Sequence, residues 1–276
     1  MTLRLFSHCT LIGALAFTAV AQIPHLQTQG TATQLIVDGK PFLMLAGELH
    51  NSSASSLEYM KPIWPRLAAM HLNTVLATVS WELIEPEEGH FDFTLVDGLI
   101  QDARSHNLHL VFLWFGSWKN GMSSYIPPWV KANQDRFPRV QRQDGTGVEI
   151  LSTFSDANRE ADSRAFAALM RHIKEVDTQH TVIMMQVENE VGVLGDSRDR
   201  CQAANRAFAG PVPRELMDFI QKNRDTLNPQ FRKVWEAAGA RTSGTWAEVF
   251  GNSPAADEIF MAWNYARYIG QVAAAT

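Results

Sequence analysis

Cysteine is nearly absent: of 276 residues only Cys9 and Cys201 carry a thiol, which excludes a disulfide framework and a cysteine-based metal cluster. Charge is sparse too. Charged residues make up 19% of the chain and the net charge is −5, with basic residues scattered. No nucleic-acid face and no anionic-membrane footprint follows, and a neutral or small substrate is the expectation. The nine histidines form no His-Glu-x-x-His pair, and the chain has no Gly-x-Ser-x-Gly elbow, Walker loop or dinucleotide fingerprint. No metal, cofactor or activated serine is therefore indicated. No apolar run is long enough to favour a membrane span. The sequence carries no signal for an oligomeric state.

What is present begins with a leader. Arg4 supplies a basic start, Cys9 to Val20 an apolar run, and Ala19-Val20-Ala21 a small-residue cleavage site, the pattern of a secretory signal peptide over residues 1–21. Export to the periplasm or the exterior is expected, and cleavage near Ala21 would leave Cys201 alone, an inert thiol.

In the mature part, Gln34–Val37 and Phe42–Leu45 flank Asp38-Gly39-Lys40-Pro41, two short strands around an Asp-Gly turn, the second running on to His50. Apolar runs at Asn73–Val79, Leu108–Trp114 and Thr181–Val187 read as strands buried on both faces. Helical periods occupy Leu57–Met70, Leu95–His106, Arg159–Val176, Pro213–Leu227 and Asp257–Ala275. Strand and helix alternate, which predicts a parallel α/β sheet of βα units in one domain over 22–276. Four units are present, whereas an eight-unit barrel needs about 250 residues plus insertions. Half a barrel would leave two parallel edges open, so a truncated sequence is expected, with a four-strand α/β sandwich as the alternative.

The segment richest in chemistry is Gln186-Val187-Glu188-Asn189-Glu190-Val191-Gly192, where an apolar strand ends in acidic residues. In α/β barrels the carboxyl ends of the strands gather the catalytic groups, and a half-buried carboxyl there suits general acid work. A helix cap or ion-pair carboxylate remains the other reading. Glu188, two residues before Glu190, would share its face in a strand and help keep it protonated. Glu248 reads as a surface charge.

This segment resembles the motif of glycoside hydrolase family 35, the β-galactosidases, within the clan of retaining barrel glycosidases. Gly47-Glu48-Leu49-His50, Leu72-Asn73-Thr74-Val75, the stretch Trp81-Glu82-Leu83-Ile84-Glu85-Pro86 and the loop Trp114-Phe115-Gly116-Ser117-Trp118-Lys119-Asn120 are similar to further motifs of that family, in the same order. The resemblance implies a TIM (β/α)8-type glycosidase barrel truncated to about its first four βα units, acting on a β-galactoside. It implies Glu190 as general acid/base, Asn189 on the sugar 2-hydroxyl, and a nucleophilic Glu at a seventh strand beyond Thr276, so that the chain as given lacks its nucleophile. Glu82 stands where the family commonly has Asn, and Trp118-Lys119-Asn120 where many members have Ala-Glu-Trp.

Aromatic residues cluster near the second and third strand ends: Trp81, Trp114, Phe115, Trp118, Tyr125 and Trp129. Flat side chains there are expected to stack on a galactose ring. With them, Glu48, Glu82 and Asn120 are the polar groups expected to line the sugar. The alternatives are a non-catalytic carbohydrate-binding fragment and another exo-glycosidase of the same clan, such as an arabinosidase.

Overall fold

The structure is a computed structural model, described here over residues 22–276; the segment read as a signal peptide lies outside the described residues. The chain divides into two compact units, one ending at Phe42 and one of Leu43–Thr276.

In the first unit β1 (His25–Gln29), β2 (Ala32–Val37) and β3 (Lys40–Pro41) form an antiparallel sheet in that order. Asp38 and Gly39 both take positive φ, 50° and 72°, the signature of the tight turn whose twist matches a hairpin. The turn sits where the Asp-Gly pair placed it. β1 was not expected. Residues 42–45, read as strand, are not: β3 ends at Pro41, and regular structure resumes at Ala46.

The second unit carries β4 (Ala46–Glu48), α1 (Leu57–Met60), α2 (Trp64–Ala69), β5 (Thr74–Ser80), α3 (Trp81–Ile84), α4 (Thr94–Ser105), β6 (His109–Phe115), α5 (Pro128–Lys131), β7 (Arg139–Gln141), β8 (Gly147–Leu151), α6 (Asp156–Val176) and β9 (Val182–Val187). There follow α7 (Gln202–Ala209), α8 (Arg214–Lys222), α9 (Pro229–Ala237), α10 (Trp246–Phe250) and α11 (Pro254–Ala273). The sheet is parallel with order β4-β5-β6-β9. Its inner strands behave as their composition demands: β6 is buried from Leu110 to Phe115, and β5 at every residue but Leu76. The edge strands β4 and β9 are more open, and Met184 is 41% exposed.

Helices cover the sheet through stripes at helical spacing. On α4 these are Val96, Leu99, Ile100 and Ala103; on α6, Ala161, Ala165, Phe166, Leu169 and Ile173; on α11, Phe260, Met261, Tyr265, Tyr268 and Val272. Ser155 and Ser253 cap α6 and α11 by accepting from the N–H groups of Asn158 and Ala256, which satisfies donors the helix cannot. The helix read over Leu57–Met70 is split in two at Pro62 and Pro65, which carry no N–H to continue the helical ladder.

Asp177 fixes where β9 begins. Its side chain, 1% exposed, accepts from Arg104 at 2.7 Å, from Thr181 N–H at 3.0 Å and from Val182 N–H at 2.7 Å. The end of α6, the end of α4 and the start of β9 thus meet on one carboxylate. Among the described residues no helix is long and apolar enough to cross a membrane.

Candidate active site at the carboxyl ends of the parallel strands

Because the four strands run parallel, their carboxyl ends share one rim, and every residue expected in the site comes from it. Glu48 closes β4, Trp81 and Glu82 follow β5, Trp114 lies near the end of β6 with Trp118 and Asn120 beyond it, and Asn189 and Glu190 follow β9.

Two rim loops interlock residue by residue. The N–H groups of Ser117 and Trp118 donate to the Glu188 carboxyl at 3.1 and 2.9 Å. The next carbonyl, Lys119, accepts from Asn189 Nδ2 at 2.8 Å, and Lys119 Nζ stands 3.5 Å from Glu190 Oε2. Gln186 Nε2 donates to the Glu188 carbonyl and to Asn189 Oδ1, at 3.1 and 2.6 Å. Three consecutive residues of one loop therefore hold three of the other.

The backbone at the end of β9 explains how neighbours part. Glu188 and Glu190 adopt φ of 65° and 39°, a conformation sparsely populated by non-glycine residues and found at functional sites. Strand alternation ends there. Glu188 is 3% exposed and turns inward, while the Glu190 side chain is 64% exposed on the rim. The expected sharing of one face by Glu188 and Glu190 is not what the fold makes; Glu188 lies instead beside Asp162 of α6, the Ser117 N–H standing 3.1 Å from both carboxyls. Burial, with the Asp162 carboxyl beside it, pushes the Glu188 carboxyl well above the usual carboxylate range, against the pull of the Trp118 and Ser117 N–H groups.

The tryptophans part company with expectation. Trp81, Trp114 and Trp118 are fully buried, so their faces are covered. Trp81 Nε1 donates to Glu85 at 2.7 Å and the ring meets Trp129 edge-on; Trp114 Nε1 donates to Asp162 at 2.9 Å; Trp118 packs edge-on against Tyr265 and Tyr268. Phe115 is buried likewise, while Tyr125 and Trp129 keep part of their surface. Each ring meets an aromatic of a different neighbour: Trp81 meets Trp129 of α5, Trp114 meets Phe166 of α6, and Trp118 meets Tyr265 and Tyr268 of α11.

The polar residues fare differently. Glu48 is exposed at its strand end. Glu82 pairs with Lys131 at 3.2 Å and its N–H donates to the Tyr125 carbonyl. Tyr125 OH lies 3.0 Å from Ser52 Oγ, drawing the loops after β4, β5 and β6 together. Asn120 Oδ1 is engaged by the Met122 and Ser123 N–H groups, at 2.9 and 3.0 Å, and by Ser123 Oγ, so it shapes a turn.

The family model for glycoside hydrolase 42, described as β-galactosidase, matches residues 55–258. The chain belongs to the glycoside hydrolase 42 family. A β-galactosidase of Xanthomonas manihotis is 30% identical over 206 residues, covering 71% of this chain and 31% of the relative. β-Galactosidase 8 of Oryza sativa subsp. japonica is 26% identical over 169 residues, 59% of this chain and 23% of the relative. Among solved structures, the β-galactosidase from Rahnella sp. R3 superposes with a TM-score of 0.53 at 17% identity, over 84% of this chain and 33% of that one. The β-galactosidase from Halorubrum lacusprofundi gives 0.52 at 22% identity, over 81% and 32%. These superpositions show the fold alone, a partial α/β unit with a parallel sheet, consistent with a truncated barrel. The glycoside hydrolase 42 chain spans between 23% and 33% of the length of these relatives. Membership of family 35, inferred from the strand-end motifs, is not supported; what holds is the coarser assignment to the β-galactosidases. Short motifs at strand ends answer to barrel geometry and discriminate poorly between families that share it.

Asp162 and Glu85 were not singled out from the sequence, and Lys119 only within Trp118-Lys119-Asn120, as a departure from the pattern of family 35. Asp162 sits on the buried stripe of α6, where an acidic residue among alanines is itself a signal. Glu85 has no comparable mark.

Proposed function

We propose that this chain carries the acid/base half of a retaining glycoside hydrolase that removes terminal β-linked galactose, with Glu190 as general acid/base and Asn189 on the sugar. The observation that carries the reading is the placement of these two side chains after the fourth parallel strand. Glu190 projects from the rim, and Asn189 is held between Lys119 and Gln186. In a retaining mechanism a carboxyl group protonates the leaving oxygen while a second, about 5 to 5.5 Å away, attacks the anomeric carbon. The second carboxyl belongs, on this reading, to chain that completes the barrel against the open edges of β4 and β9. Glu48, Glu82 and Asn120 line the rim around the sugar; the buried tryptophans support the loops from beneath. We further propose export after cleavage near Ala21, with residues 22–276 forming the first part of the catalytic region.

The test is turnover of an activated aryl β-galactoside by this chain and by a form extended through the downstream reading frame. Activity confined to the extended form, and lost with Glu190→Gln for poor leaving groups, supports the reading. Turnover at enzymatic rates by the 276-residue chain would place the nucleophile among the residues described above.

A further inference from the structure

Beneath the interlocked loops lies a polar cluster with no exposed member. Asp162 Oδ1 accepts from Trp114 Nε1 at 2.9 Å; its Oδ2 accepts from Ser117 N–H at 3.1 Å and Ser117 Oγ at 2.6 Å. Tyr268 OH of α11 lies 2.8 Å from Ser117 Oγ and 3.4 Å from Asp162 Oδ2. Glu188 accepts the two loop N–H groups, and the Ser117 N–H is shared, 3.1 Å from Glu188 Oε1 and 3.1 Å from Asp162 Oδ2, so the two carboxyls lie side by side. The groups facing the pair are Trp114, Ser117, Trp118 and Tyr268, and none of them is a cation.

We propose that Glu188 and Asp162 are positioning residues, a buried carboxyl pair joined by one shared proton that clasps the 116–118 loop and so aims Asn189 and Glu190. The geometry calls for the proton. Two carboxyls that share one N–H donor, both buried, have only acceptors to turn to each other when ionised, and a single hydrogen between them replaces that repulsion with a bond. Asp162 accepts from three donors, Trp114 Nε1, Ser117 N–H and Ser117 Oγ, and Glu188 from two, so the shared hydrogen is assigned to Glu188. Two bare charges in so buried a place would repel without a counter-ion. Gly116 serves the same end: a Cβ there would lie under 3.0 Å from Trp114 Nε1, Glu188 Oε1 and Asp162 Oδ1.

The proposal rests on the reading of Glu190 only for what the clasp is for; the shared proton is tested without activity. First, infrared spectra of the chain at neutral pH are compared with those of Glu188→Gln. A protonated-carboxyl C=O band present in the wild type and missing in the variant is expected, and its absence from the wild type would overturn the pair. Second, thermal midpoints of both are followed from about pH 5 to pH 8. Folded wild type holds a proton that the unfolded chain releases above the ordinary glutamate range, so its stability falls relative to the variant as pH rises. Gln, which donates permanently to Asp162, removes that slope. Parallel profiles would refute the shared proton. Third, in a galactosidase-active full-length form, Glu188→Leu, folded by circular dichroism, is expected to lose more than tenfold in kcat with a smaller change in KM, whereas Glu188→Gln retains most of it. An unchanged kcat in Glu188→Leu would overturn the positioning role. If no extended form is active, the first two measurements still decide the pair.

Discussion

Lys119 stands with its ammonium 3.5 Å from the Glu190 carboxylate and its own carbonyl bonded to Asn189 at 2.8 Å. One loop residue thus holds both side chains on which the proposed chemistry rests, through an ion pair to one and a hydrogen bond to the other. The Lys119 side chain is 16% exposed against 64% for Glu190, so the cation is the half-buried anchor and the carboxylate the free end.

Glu190→Gln in an active full-length form is expected to lower kcat by about 10²- to 10⁴-fold for substrates with poor leaving groups, the usual worth of a positioned general acid. Aryl leaving groups that depart without protonation should lose far less. The check is kcat across leaving groups of graded acidity. A uniform loss would move the acid role elsewhere.

Gly116→Ala should destabilise the chain by about 1–3 kcal/mol, because the added methyl meets three polar atoms that are themselves fully engaged. Urea unfolding measures it, and a variant of wild-type stability would show that the cluster can give way.

Asp177→Ala should cost about 3 kcal/mol, since it strands the N–H groups of Thr181 and Val182 and removes the Arg104 partner. Asp177→Asn, which keeps an acceptor oxygen, should cost less. Thermal and urea unfolding of the two variants give the order.

Cys201 should stay unreactive in the folded chain. Burial, and then the neighbouring Asp199 carboxylate, push its thiol above the ordinary value, and the thiolate is the attacking form. At pH 8 the folded protein is therefore expected to react with an aromatic disulfide only slowly, and the urea-unfolded chain quickly. Equal rates would contradict the burial.

Much of the fold was legible in the residues. Runs such as Leu108–Trp114, apolar but for His109, end up as the buried strand β6, and the stripes of α4 and α6 fall where their 3.6-residue period puts them. Less legible were the β7–β8 hairpin and the short helices α7, α9 and α10, which have too few turns for a period to emerge. The site was legible in part. Asn189 and Glu190 stand on the expected rim, but the tryptophans expected beside the sugar are core residues. Composition alone cannot tell an aromatic that faces a ligand from one that faces a helix.

The sequence by itself determined the alternation of the principal strands and helices, the Asp-Gly turn and the strand end at which acidic residues gather, because each depends on chain neighbours a few residues apart. Only the tertiary structure decided that Glu188 turns inward to Asp162 while Glu190 turns outward to Lys119. That choice depends on two left-handed backbone positions and on partners about 70 residues away for Ser117 and Trp118, contacts that no local pattern of residues encodes.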